Sequence, residues 1–188
     1  MRKKPVIRQR REVARSRLFR IEALDLTFSN GVETTFERLV PGGFGAVIVA
    51  AMPDPETVLL IREYCAGTDR YELALPKGRM ETGEDPLEAA NRELSEETGF
   101  AGRTLSFIKP IALAPGYMSH ATNLVLVEDL YPCEAEGDEP EPIEVVSWKM
   151  DDIYQLSMRD DCSEARTIAG LYLVRDFLAA REKTNAAQ

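Results

Sequence analysis

Alternating and β-branched apolar runs along the chain predict seven strands, at 18–28, 32–39, 44–51, 57–64, 105–113, 122–130 and 143–148. Ser29-Asn30-Gly31 supplies the residues of a tight hairpin turn between the first two. Two stretches change to a helical period, which predicts helices over 86–98 and about 163–181. In the second, Ile168, Leu171, Tyr172, Val174, Phe177 and Leu178 share one broad face, a pattern that suits packing more than chemistry. The first has both ends specified. Asp85 can cap it, Pro86 suits the first helical position, Glu88 stands three residues after the cap, and Gly99 is placed to end it. Leu87, Ala90 and Leu94 gather on one side of this helix. Glu93 and Glu97 lie about 40° apart on an adjoining stripe, with Glu96 about 60° beyond Glu93.

These elements describe an α+β chain without internal repeats and without a linker long enough to separate two domains. The expected division is a basic segment and β extension over 1–43, followed by a main domain over 44–188.

Composition narrows the function classes. The chain has 188 residues and a formal net charge of -9, which argues against a general grip on nucleic acid, since neutralising phosphates supplies most of that affinity. No run approaches the roughly 18 apolar residues of a membrane span, so no membrane partner and a cytoplasmic location are expected. Cys65, Cys133 and Cys162 are odd in number and form no CxxC pair, which reads as buried or idle thiols. Eight of the 23 Lys and Arg lie in the first 17 residues, against the single acid Glu12. That segment reads either as a frayed basic tail or as a piece that folds against a partner subunit or helps hold phosphate. The sole histidine, His120, cannot form a zinc site alone, and Pro41-Gly-Gly-Phe-Gly45 precedes a strand, which is not the setting of a phosphate loop.

The chemistry sits around the first helix. Glu93, Glu96 and Glu97 within a turn and a half repel one another unless cations or ion pairs offset them. Magnesium is the natural counter-ion, a hard cation that bridges carboxylates to substrate phosphates. Arg92, four residues before Glu96, could tie that carboxylate down and fix the others.

From Gly78 the order is glycine, five residues, Glu84, seven residues, Arg92-Glu93, two residues, Glu96-Glu97, one residue, Gly99 and an apolar Phe100. This pattern resembles the Nudix box without a departure, and the chain is similar to the Nudix superfamily from about Phe44 to Trp148. The resemblance implies an α/β/α sandwich with a mixed sheet and a magnesium- or manganese-dependent hydrolase of nucleoside diphosphates linked to another group. It implies Glu93 and Glu97 as main metal ligands, Glu96 and Glu84 as further metal or water-positioning groups, and the backbone carbonyl of Lys77 as another ligand. It makes Arg92 the orienting partner, with Gly78 and Gly99 structural.

Flanking segments resemble the ADP-ribose pyrophosphatases and, through REY-x-x-GT-x-x-YEL, DLYP and GDEPEP, the bacterial ADP-compounds hydrolases. Those enzymes imply a catalytic glutamate on the acidic loop 134–144, for which Glu139 and then Glu141 are candidates; a solvated acidic loop is the other reading. They imply a homodimer joined through the N-terminal strands. Arg38 and Arg62 become diphosphate or ribose contacts or else structural arginines, and Tyr117 lines an adenine or ribose pocket or else packs in the core. Ala74-Leu-Pro-Lys77-Gly78 departs from the usual Glu-x-Pro-Ala-Gly of ADP-ribose pyrophosphatases, which speaks against strict ADP-ribose specificity, and the resemblance to the ADP-compounds hydrolases implies a broader range: ADP-ribose, NADH and diadenosine polyphosphates, releasing AMP. Hydrolysis of nucleoside triphosphates or RNA 5′ ends is the second enzyme reading, and a non-catalytic binding module of the same fold is the reading from another class.

Overall fold

A computed structural model describes residues 3–43, 45–133, 135, 137 and 140–186 of the chain. Strands β1 (Val6–Arg15), β2 (Arg20–Thr27) and β3 (Glu33–Val40) form an antiparallel three-stranded sheet in that order. The β2–β3 hairpin closes as expected, with Gly31 at φ 81° and the Asn30 side chain accepting from the Val32 N–H at 3.1 Å. The basic segment before it is not a frayed tail. It is a ten-residue strand, exposed throughout, held by its backbone ladder to β2 and by pairs such as Arg11 with Asp25. Its polar alternation carries no core signal, which is why periodicity alone passed over it.

The second sheet has seven strands. β4 (Ala46–Asp54) lies at its centre between β5 (Thr57–Cys65) and β9 (Ala121–Pro132), and β8 (Phe100–Ala112) and β10 (Glu144–Lys149) close the two sides. Short β6 (Arg70–Ala74) and β7 (Lys77–Arg79), both absent from the periodicity reading, add to β5 and β4. β4 and β9 run parallel and every other pairing is antiparallel, so the sheet is mixed as expected.

Side-chain alternation in β4 explains the layering. Val47, Val49 and Ala51 point to one face, where they pack with Ala89, Ala90 and Leu94 of helix α1 (Pro86–Thr98). Ile48, Ala50 and Met52 point to the other, where Leu171 and Val174 of helix α3 (Ala165–Ala186) join a larger cluster. The fold is an α/β/α sandwich. A short helix α2 (Ile153–Ser157) follows a 3-10 turn at Met150–Asp152 and seals the far end with buried Ile153 and Leu156. All three cysteines are free thiols, Cys162 buried and the other two half-buried.

A polar clamp ties β5 and β10 to the segment before α3. Arg62 donates to Glu144 at 3.0 Å and to Asp161 at 2.9 Å, while Arg159 grips Asp161 at 2.7 and 2.9 Å. The Arg159 hydrogen bond, working against desolvation and joined by Arg62, holds the Asp161 carboxyl well below the usual carboxylate range. A depressed folded value contributes stability that is full above the unfolded pKa of about 3.9 and is lost as pH falls through the folded one. Asp161→Asn should therefore destabilise the chain relative to the parent at about pH 5, with the gap narrowing towards about pH 3. Denaturation curves at both pH values check this, and a gap that stays constant counts against the clamp.

Candidate active site

Helix α1 begins as its sequence specifies. The Asp85 carboxylate accepts from the Leu87 N–H at 2.8 Å, Pro86 opens the first turn, and Gly99 at φ 74° closes the helix by donating to the Ser95 carbonyl at 3.0 Å. With Ala90 and Leu94 anchored in the core, the remaining face presents Arg92, Glu93, Glu96 and Glu97 beside β7.

One guanidinium organises that face. Arg92 bonds both oxygens of Glu84 at 2.9 and 3.1 Å, reaches Glu93 at 2.9 Å and Glu96 at 3.0 Å, and donates to the Arg79 carbonyl at 2.8 Å. The Arg92 hydrogen bond keeps Glu84 below its ordinary pKa against desolvation. Glu93 is pushed up by burial, and the adjacent arginine only partly offsets that. Glu97 is nearly enclosed, at 8% exposure, and burial raises it to about 8 despite the Lys77 charge and a 2.8 Å hydrogen bond from the Lys77 N–H. The Lys77 ammonium itself pairs with Glu63.

The loop preceding the helix is shaped to this cluster. In β7, Lys77 stands opposite Ile48 and Gly78 opposite Val47. A Cβ built on Gly78 would overlap the Glu93 carboxylate, so a glycine here lets the carboxylate lie against the backbone.

Three cavities meet around these residues. One of about 670 Å³ is lined by Lys77, Gly78, Arg92, Glu93, Glu96 and Glu97. A second, of about 450 Å³, lies between Glu96 and Glu97 on one side and Glu141 on the other. A third, of about 350 Å³, runs from the first towards Phe19, Met118 and His120.

Two family models match the chain: a NudE-type Nudix hydrolase N-terminal domain over residues 5–38 and a NUDIX domain over residues 43–168. This chain belongs to the Nudix hydrolases. It is a Nudix pyrophosphatase. It is 46% identical to the ADP compounds hydrolase NudE of Escherichia coli strain K12, over 93% of this chain and 94% of that one. An ADP-ribose pyrophosphatase of Bacillus subtilis strain 168 shares 31% identity over 65% of this chain and 68% of its own. Among solved structures, a crystal structure of an ADP compounds hydrolase superposes with a TM-score of 0.88 at 43% identity, covering 96% and 97% of the two chains.

Nudix hydrolases act with a divalent metal, and the donors present here suit one. They are hard carboxylate oxygens, among them those of Glu93 and Glu97, two glutamates whose pKa burial raises against the pull of the neighbouring cations. Among the described residues no three such side chains form a cage by themselves, and Glu84, Glu93 and Glu96 each pair with Arg92.

The structure brings Glu84, Arg92, Glu93, Glu96, Glu97, Lys77 and Gly78 together, with Glu141 across the second cavity. Glu139 lies outside the described residues. Arg38 is paired with Glu22 at 2.9 Å and shares a separate cavity with Tyr117, whose side chain is exposed and not part of the core. Arg62 is committed to Glu144 and Asp161, on the face of β5 opposite Glu63, and is not brought to the carboxylates. Sequence reading passed over the Lys77–Glu63 pair, the hydrogen bond from the Tyr71 hydroxyl to Glu141 at 2.6 Å, and Arg17 and Arg79. Arg79 was legible as the residue beside Gly78; the others meet only through the fold.

Proposed function

We propose that this chain hydrolyses the diphosphate linkage of ADP-containing compounds, among them ADP-ribose, NADH and diadenosine polyphosphates, releasing AMP. The observation that carries this reading is the intact carboxylate cluster beside a nucleotide-sized cavity, in a chain 46% identical to an ADP compounds hydrolase.

Magnesium or manganese would be held by Glu93 and Glu97, with Glu96, Glu84 and the Lys77 carbonyl as further donors. When bound, such a cation neutralises the diphosphate and lowers the pKa of a ligated water. The chain's own residues do the rest. Arg92 fixes the rotamers of Glu84, Glu93 and Glu96 from one guanidinium, and the Lys77 N–H orients Glu97. Glu141, with Tyr71 donating to it, faces the same glutamates and takes the proton of the attacking water. Water adds to a phosphorus, the bridging P–O bond breaks, and the electron pair leaves on the second phosphate.

Glu141→Gln should lower kcat by about 10²- to 10⁴-fold, the usual contribution of a general base. Steady-state rates on ADP-ribose check this, and full turnover in the variant would remove Glu141 from the role.

The N-terminal sheet, residues 1–43 in this reading, is the dimerisation element of a cytoplasmic homodimer, and 44–188 the hydrolase domain. The exposed apolar side chains Val6, Val13 and Phe36 on that sheet support it. Sedimentation equilibrium at micromolar concentration tests it, and a monomer there removes the dimer.

The substrate assignment is tested by chromatography of products after incubation, with magnesium, with ADP-ribose, NADH, diadenosine triphosphate, dGTP and a triphosphorylated RNA. AMP from the first three supports it. Phosphate or pyrophosphate from dGTP or RNA alone replaces it with the triphosphate reading.

A further inference from the structure

The carboxylate cavity and the 350 Å³ cavity beside it share three lining residues, Arg17, Leu18 and Arg79. The first two come from the tight turn between β1 and β2. That turn is fixed by the Ser16 N–H donating to the Phe19 carbonyl at 2.8 Å and the Phe19 N–H to the Ser16 hydroxyl at 3.0 Å. The N-terminal sheet is in turn anchored to the main domain through Leu39, which exchanges backbone hydrogen bonds with Tyr117 at 2.8 Å and Ser119 at 3.0 Å.

The two arginines differ from those around them. Arg92, Arg166, Arg38 and Arg62 are each committed to a carboxylate, whereas neither Arg17 nor Arg79 has an ion pair among the described residues. Among the described residues the cavity beyond them has no Asp or Glu in its lining, although the chain as a whole carries a net charge of -9. Its far wall is apolar, with Phe19, Leu113 and Met118. His120 also lines it, pushed below its ordinary pKa by burial and by Arg166, so that the ring is uncharged; its Nε2 shares a hydrogen bond with the Thr122 hydroxyl at 3.2 Å, which leaves the other ring nitrogen for a hydroxyl or a base edge. A volume of about 350 Å³ falls in the range of small-molecule sites.

We infer that Arg17 and Arg79 grip the phosphates of the substrate where they leave the carboxylate cleft, and that the cationic, apolar-walled cavity behind them holds the nucleoside or sugar those phosphates carry. Guanidinium groups match phosphate oxygens in geometry and remain charged, and a diphosphate lying across the boundary places one phosphate by the carboxylates and the next between the arginines. The N-terminal turn is thereby a specificity element of the active site. This inference rests on the reading of the chain as an ADP-compound hydrolase.

The experiment compares Arg17→Ala, Arg79→Ala, the double variant and Arg79→Lys with the parent by two measurements. Calorimetric titration with ADP-ribose in excess chelator reads binding without turnover, and steady-state kinetics with magnesium reads KM and kcat separately. Each alanine should raise Kd and KM by roughly tenfold to a hundredfold, the range for losing a charge-assisted hydrogen bond, with kcat changed by less than about threefold. Arg79→Lys should recover part of the loss. Unchanged Kd and KM in folded variants overturn the inference and leave the substrate assignment intact. If the parent binds ADP-ribose through these arginines but cleaves no ADP compound, the substrate assignment falls and the binding site stands. If the parent does not bind ADP-ribose, the inference is overturned.

Discussion

Glu97→Gln should abolish nearly all turnover, by about 10³-fold, while leaving the chain at least as stable as the parent when divalent cations are chelated. Glu97 is the most enclosed of the helix carboxylates, at 8% exposure, with Lys77 supplying a backbone N–H and the nearest positive charge. A charge in that position is costly to desolvate, and in the proposed role a cation held there would offset the cost. Glutamine keeps the shape and one oxygen acceptor but removes the charge. The catalytic loss follows from several kcal/mol of electrostatic stabilisation, at about 1.4 kcal/mol per factor of ten. Single-turnover rates at saturating magnesium and thermal melts in chelator read the two halves separately. Near-parental turnover would sink Glu97 as a ligand, and a large fall in melting temperature would mean that its role is structural.

Gly78→Ala should be the second largest effect and a more selective one. The added methyl would occupy the space of the Glu93 carboxylate, and the atoms it meets are the far end of a flexible side chain. The fold can therefore survive by swinging Glu93 aside. In the proposed role of Glu93 activity does not, because the carboxylate then leaves the face it shares with Glu96 and Glu97. We expect kcat on ADP-ribose to fall by about 10²-fold, the scale of a ligand displaced from its geometry, with melting shifted by only a few degrees. A variant with parental activity would show that Glu93 works from another rotamer, and the ordering of the helix face would need revision.

Such effects were legible in the sequence because the residues responsible are close together in it. The cap at Asp85, the proline after it, the glycine at 99 and the offsets of Glu93, Glu96 and Glu97 all depend on local geometry, and the helix boundaries came out at 86 and 98. The strands β2, β3, β4, β5, β8, β9 and β10 were also visible, as alternating or β-branched apolar runs. The omissions have a different physics. β1 exposes every side chain, β7 spans three residues, and both are held by partners in the ladder rather than by burial.

Long-range pairing explains what was missed at the site. Arg62 meets Asp161 across 99 positions and Tyr71 meets Glu141 across 70, separations at which no spacing rule operates. Arg62 read as a free cation suited to phosphate, and the fold commits it to two carboxylates on the other face of its strand. The basic N-terminal segment read as charge alone, and its turn placed one of those charges, Arg17, at the boundary of two cavities.

The central strand carries one more consequence. Every residue from Ala46 to Met52 is buried, so both faces of β4 are apolar and of similar bulk. Sliding β4 by one position would exchange Val47 and Val49 for Ile48 and Ala50 with little change in the area hidden from water, unlike a strand with one wet face. Hydrophobicity does not encode the reading frame of this strand. What encodes it is β7, where Gly78 must stand opposite Val47 to clear Glu93, and Lys77 opposite Ile48 to reach Glu97. Drift among Val, Ile, Leu and Ala along β4 is therefore cheap over evolutionary time, while a single inserted or deleted residue upstream of it would be purged for misaligning chemistry rather than for unfolding the protein.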